Sequence, residues 1–183
     1  MSRQWIALFR GINVGGHNTL PMKGLSSLLA DLGLEDPRTV IQSGNVVFGF
    51  PKESARSWPA KAAQMIEDAV ENAHGFRPAV LVFDEHGFRD RLAASPFPEA
   101  TREPKTLHLF FCTTPPHEPD LEAIDERRAA DERWHLEGDV FYLHAPAGVG
   151  RSKLATQVEK RLGVPTTGRN WNTLQRIVEL LDT

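Results

Sequence analysis

The sequence predicts an α+β fold of two ferredoxin-like halves, each an antiparallel sheet covered by helices. Apolar β-rich runs and amphipathic stretches alternate in the order β-α-β-β-α-β, and the same order then starts again. Hydrophobic residues make up 40% and charged residues 25% of the chain, the balance of an ordinary globular protein. With 183 residues the chain can bury a sizeable core in one large unit or two small ones. The element order divides it into 1–98, a first half with a connecting helix, and 99–183, a second half with a C-terminal helix. Residue identity between the halves is low, so duplication rests on element order alone.

Residues 4–9 form a run apolar on both faces, as expected of a central strand. Pro21 suits a first helical turn, Leu25, Leu28, Leu29 and Leu32 follow at helical spacing, and Gly33 is the stop. Thr39-Val40-Ile41 and Val46-Val47-Phe48 are two short strands joined by Gln42-Ser43-Gly44-Asn45, a polar linker that suits a hairpin. Ala62, Met65, Ile66, Ala69, Val70 and Ala73 define a second helix, and 79–83 a fourth strand. A short helix from about Asp84 leads through Pro96 and Pro98 into a bridging segment. The second half continues with a strand over 107–112 and a helix carrying Leu121 and Ile124. A hairpin across Gly138-Asp139 follows, then a helix with Leu154, Val158 and Leu162 and a last helix with Leu174, Ile177, Val178 and Leu181. Read this way, the second half ends in a helix where the first has its fourth strand.

The split topology carries two distant polar segments to one rim. Strands one and two run the same way and strand three runs against them, so the end of strand one meets the turn between strands two and three. The run after strand one holds Arg10, Asn13, Gly15, Gly16 and Asn18, and the turn holds Gln42, Ser43 and Asn45. Neighbouring strands lie roughly 4.8 Å apart, so these groups are expected within reach of one small anionic ligand. The asparagines and glycines equally suit turn formation. Arg10, closing an apolar strand, requires a carboxylate or a ligand anion.

A second candidate region is the loop after the second hairpin, where Gly148, Gly150, Ser152 and Lys153 stand at the expected start of a helix. Glycines allow close backbone approach, and a helix start offers free amides to phosphate or carboxylate. The spacing of a P-loop is absent. Arg169 and Asn170, before the last helix, form a third polar segment, with Trp171 either packing that helix or offering a stacking surface.

No nucleophile motif accompanies His17, the one histidine in a candidate segment. His135 and His144 fall on one face of the hairpin without a third ligand, so no metal site is expected, and no cofactor is identifiable. Phe48 and Phe50 share a face, yet the basic-Gly-aromatic start of an RNA-recognition strand is missing, which favours burial. The net charge of -3 gives no global attraction to nucleic acid, so any such binding needs a local basic patch. No stretch approaches the roughly 20 apolar residues of a membrane helix. Cys112 is the only cysteine, which excludes an intrachain disulfide and suits a reducing cytoplasm.

The stretches Leu8-Phe9-Arg10-Gly11-Ile12-Asn13-Val14-Gly15-Gly16, Ile41-Gln42-Ser43-Gly44-Asn45-Val46-Val47-Phe48, Gly148-Val149-Gly150-Arg151-Ser152-Lys153-Leu154 and Gly168-Arg169-Asn170-Trp171-Asn172-Thr173 resemble a bacterial family, domain of unknown function 1697. The resemblance implies two ferredoxin-like halves and assigns no activity, cofactor or catalytic residue. Ala145-Pro146-Ala147-Gly148 departs from a Pro-Asp/Glu-Gly form of the family, with Ala147 at the acidic place. The functional expectation is binding of a small phosphate- or carboxylate-bearing ligand at the sheet rim. A nucleic-acid-binding module and a protein-interaction scaffold are the alternatives.

Overall fold

The computed structural model describes residues 3–42, 44–50 and 58–183, so Ser43 lies outside the described residues. The chain divides into two compact units, Met1–Asp90 with Arg176–Thr183, and Arg91–Gln175. The division falls some eight residues before the boundary expected at 98, and the chain's last residues belong to the first unit.

In the first unit β1 (Arg3–Arg10), β2 (Glu35–Val40), β3 (Asn45–Phe50) and β4 (Ala79–Asp84) form one sheet in the order β2-β3-β1-β4. All neighbours are antiparallel, with Ile6 opposite Val47 on one side and Phe83 on the other. β1 and β3 are therefore the central pair, as the split order requires. Residues from Trp5 to Phe9 are buried, which is why this strand reads as a continuous apolar run.

Two helices cover one face of that sheet. In α1 (Met22–Asp31) Leu25 and Leu29 point inward, and Gly33, at φ 82°, ends the helix while Leu34 N–H bonds the Leu29 carbonyl at 3.2 Å. In α2 (Trp58–His74) Ala62, Ile66 and Val70 form the buried stripe that meets Trp5, Ala7 and Phe9. Arg77 gathers Glu67, Asp68 and Glu71 of α2, and Glu67 also accepts the Val80 N–H at 2.9 Å, fastening helix to strand. α3 (Glu85–Ala93) follows β4 directly. β2 starts at Glu35, earlier than the β-branched run at Thr39, with a register break between Glu35 and Arg38 around Pro37. Proline is tolerated there because β2 is an edge strand.

The second unit repeats the plan. β5 (Leu107–Cys112), β6 (Arg133–Glu137), β7 (Val140–His144) and β8 (Thr166–Asn170) are ordered β6-β7-β5-β8. α4 (Leu121–Arg127) precedes β6, α5 (Val158–Leu162) precedes β8, and α6 (Trp171–Leu181) follows it. The core gathers Ile124, Phe141, Leu143, Leu154, Val158 and Leu162. Two expectations need correction. The second half does possess its fourth strand, β8, built from Thr166-Thr167-Gly168-Arg169-Asn170, which lacks the apolar alternation of a readable strand. It holds by backbone pairing to β5, by the Glu159 carboxylate on Thr166 N–H at 2.9 Å, and by Gly168 fitting against the Phe110 ring, where an added Cβ meets Cε1 at 3.1 Å. No helix begins at Ser152 either. A short 3-10 turn at Val149–Arg151 and a further turn intervene, and α5 starts only at Val158. Ser152 Oγ does take the Ala155 N–H at 2.9 Å as a cap would, but the turn that follows is closed by three-residue bonds, Gln157 N–H on the Leu154 carbonyl and Thr156 Oγ1 on the Lys153 carbonyl, each at 2.8 Å.

Among the described residues no helix is long and apolar enough to cross a membrane. Phe48 is buried and Phe50 is half-buried, one face of its ring stacked on Trp58 with centroids 3.9 Å apart.

Burial of His108 in β5 gives a pH signature to stability. Its Nδ1 is buried without a hydrogen-bond partner, and desolvation pushes the imidazole down to about 4, against a smaller opposing effect of the Thr106 backbone. The unfolded chain takes up this proton near pH 6.5 and the folded chain only near 4, so the contribution is complete above the first value and is lost as pH falls toward the second. Urea unfolding between pH 7 and pH 4 is expected to show a loss of roughly 3 kcal/mol from this group, absent in His108→Gln.

Candidate functional site

The first rim forms as the topology requires, and its polar atoms are turned to holding it together. Phe9 N–H donates to the Gly44 carbonyl at 2.8 Å, joining the end of β1 to the β2–β3 turn. Asn13, at φ 54°, donates from Nδ2 to the Gln42 carbonyl at 2.8 Å and to the Leu20 carbonyl at 3.0 Å, while its Oδ1 accepts the Leu20 N–H at 2.8 Å. One asparagine thus links both segments through backbone groups. Asn18 donates to the Gly11 carbonyl at 3.0 Å, and Asn45, fully buried, donates to the Val40 carbonyl at 3.0 Å. Gly15 and Gly16 are the central residues of a tight turn closed by His17 N–H on the Val14 carbonyl at 3.0 Å, and both have positive φ. Arg10 is half-buried at the end of β1, opposite Ala79 of β4, and Gln42 is exposed.

In the second unit the candidate residues separate. Arg169 is buried on β8, its guanidinium folded back to Thr167 Oγ1 and to the Gly168 carbonyl, each at 2.8 Å, and desolvation lowers it to about 10. Asn170 caps α6, accepting the Thr173 N–H at 2.9 Å and its hydroxyl at 3.0 Å. Trp171 is half-buried at the head of the same helix. Gly148, at φ 91°, closes a turn onto the Ala145 carbonyl at 2.8 Å, Gly150 has open space around it, and Ser152 is buried.

Arg151 and Lys153 line an open depression of about 390 Å³ whose other walls are Glu126, Arg127, Arg128 and Ala129. Arg127 and Arg128 stand at the end of α4, where the sequence shows only an acidic helical run followed by arginines. Their meeting with 151–153 depends on the fold and has no sequence signal. Arg128 is held in place: Nε bonds Asp125 Oδ1 at 2.9 Å and Nη1 bonds the Glu132 carbonyl at 3.1 Å, which leaves Nη2 outside both bonds. Arg128, and after it the Trp134 indole N–H at 3.2 Å, hold the Asp125 carboxyl below its ordinary value. Glu132 stabilises the loop in return, its Oε2 accepting the Ala129 N–H at 2.9 Å. Arg127, Arg151 and Lys153 have no carboxylate partner among the described residues. The helix dipole favours cations at the end of α4 but has no bearing on Arg151 or Lys153.

The two hairpin histidines go separate ways. His144 Nδ1 lies 3.0 Å from Arg133, and His135 Nε2 lies 3.5 Å from Glu137. Among the described residues no group of three metal-ligating side chains converges.

The sequence model of a family described as protein of unknown function (DUF1697) matches residues 1–142. The chain belongs to that family. A solved structure of similar fold is the conserved bacterial protein SP0830 from Streptococcus pneumoniae, at 21% identity and a TM-score of 0.71, covering 99% of each chain. This likeness is one of fold, and it spans both units. Among curated proteins none matches the chain.

The tightest point of the first rim is Gly44. Its φ is 73°, and an added Cβ would stand 2.6 Å from Ile12 Cδ1 and 2.7 Å from Phe9 Cβ. Gly44→Ala is expected to destabilise the protein by about 2–4 kcal/mol through backbone strain and overpacking together, read as a fall in the urea midpoint at unchanged slope.

Proposed function

We propose that this DUF1697 protein binds a phosphate-bearing anion in the depression of the second unit, in the cytoplasm. The observation that carries the reading is the convergence of Arg127, Arg151 and Lys153, unpaired among the described residues, with the preset guanidinium of Arg128 on one cavity. This contrasts with the chain's net charge of -3 and with its other arginines, several of which meet carboxylates: Arg77, Arg89, Arg91, Arg133 and Arg161 all do. Four cations and one carboxylate, Glu126, line the depression, and that excess of like charge favours an anion between them. Guanidinium forks match phosphoryl and carboxylate oxygens, and the compact ammonium of Lys153 adds a point charge.

The rim expected to bind through Arg10, Asn13, Gly15, Gly16, Asn18, Gln42, Ser43 and Asn45 supports this reading less. Three of its asparagines give their amide hydrogens to backbone carbonyls. Cys112 is buried and its thiol is pushed up to about 12 by desolvation, so it stays protonated and unreactive, as suits a reducing compartment.

Thermal unfolding with increasing inorganic pyrophosphate, ionic strength matched with chloride, tests the reading. A ligand at a hundred times its Kd adds about 2.7 kcal/mol, a rise of several degrees for a chain of this size. The rise is expected for the wild type and for the exposed control Lys160→Ala, and not for Arg151→Ala/Lys153→Ala. An equal rise in the double variant, or none in the wild type, overturns it.

A further inference from the structure

Resting on that reading, we propose that the depression recognises a chain of linked phosphoryl groups, a diphosphate or longer, by its phosphates alone. Two features of the walls point this way. The first is donor capacity. Arg127 and Arg151 each offer a whole guanidinium, Arg128 keeps Nη2, and Lys153 has three N–H groups. The four oxygens of one orthophosphate crowd into a single tetrahedron, so cations standing on separate walls are matched more fully by the spaced oxygens of a diphosphate or triphosphate. The second feature is size. The depression of about 390 Å³ holds on the order of a dozen water volumes, more than one tetrahedral anion fills.

The same walls say what is not read. Ala129 is the only apolar residue of the lining, and no aromatic ring contributes. Trp134, the nearest aromatic through the Asp125–Arg128 chain, is stacked on Phe141 with centroids 5.6 Å apart and gives its N–H to Asp125. A nucleobase attached to the phosphates meets no aromatic ring in this lining, so it adds less than a base stacked on an aromatic side chain would. Glu126 on the rim opposes extension of negative charge along that side, which disfavours a long phosphodiester backbone passing through.

Calorimetric titration of the full chain with orthophosphate, pyrophosphate, tripolyphosphate, ATP and a single-stranded oligonucleotide at one ionic strength tests this. Affinity is expected to rise roughly tenfold or more from orthophosphate to tripolyphosphate, with ATP within a few-fold of tripolyphosphate and the oligonucleotide unable to displace it. Arg127→Ala, at an exposed helix end, is expected to weaken tripolyphosphate more than orthophosphate, with circular dichroism unchanged. Orthophosphate bound as tightly as tripolyphosphate, and sensitive to Arg151→Ala/Lys153→Ala, overturns the chain preference while leaving the anion site standing. Binding of ATP or the oligonucleotide without tripolyphosphate overturns it in favour of base or backbone recognition. No binding by any probe overturns both.

Discussion

The first unit depends on one close approach of backbone to core, Gly44 against Phe9 and Ile12. The hydrogen bond from Phe9 N–H to the Gly44 carbonyl brings the β2–β3 turn over the end of the central strand. A glycine is required because a Cβ would occupy the space of two buried side chains. Once the turn is there, Gln42 lies next to Asn13, and the asparagine amide joins them. The loop from Gly11 to Leu20 is long and polar, and its left-handed residues Asn13 and Asn18 each cost conformational energy. It is fixed because its carbonyls and amides find partners in its own asparagines. Polar density at a sheet rim thus has a sufficient explanation in the loop's own hydrogen-bonding needs.

The second unit repeats this closure with different chemistry. Cys112 N–H donates to the Asp139 carbonyl at 2.8 Å, the counterpart of the Phe9–Gly44 bond, and joins the end of β5 to the β6–β7 turn. Here the turn is only Gly138-Asp139, and Asp139 is paired with Arg91 through two hydrogen bonds at 2.7 and 2.8 Å. Little polar surface is left over at that end. The unpaired cations lie at the opposite rim, where β6 begins and β7 ends, with Arg133 opposite His144 in register. The chain from α4 into β6 and the chain leaving β7 meet there, which is how residues 127–128 and 151–153 come to share one depression.

Much of the fold was legible because its strands are apolar runs and its helices carry striped faces. β1, α1, β3, α2, β4, β5, β7 and α6 all announce themselves in this way, and the split order then dictates the central pair. β8 was not legible. Thr166, Thr167, Gly168, Arg169 and Asn170 have the composition of a loop, and their strand conformation comes from β5 alongside and from Glu159 bonding Thr166 N–H. Ser152 resembles a helix cap and caps a turn, because the residues after it close three-residue bonds and α5 starts only at Val158. At the site, the meeting of Asn13 with Gln42 followed from topology alone. The meeting of Arg127 with Arg151 did not, since α4 is seven residues long and its end is set by where Arg128 finds Asp125 and Glu132.

Polar sequence and available polar groups are therefore different quantities, and the two units separate them. The first rim is rich in asparagine and glycine, yet its hydrogen-bonding capacity is largely closed upon the backbone. The depression of the second unit draws on residues that look unremarkable singly, arginines ending a helix and a basic pair flanking a buried serine. What distinguishes them is that the fold orients one guanidinium through Asp125 and the Glu132 carbonyl and brings three more cations beside it against a single lining carboxylate, Glu126. Fixing Arg128 in advance removes the rotamer entropy that a free arginine loses on binding, so its remaining donors contribute to affinity with less opposition. A cationic cluster built this way is held together by the covalent fold against its own repulsion, which is the physical ground for proposing an anion as its occupant.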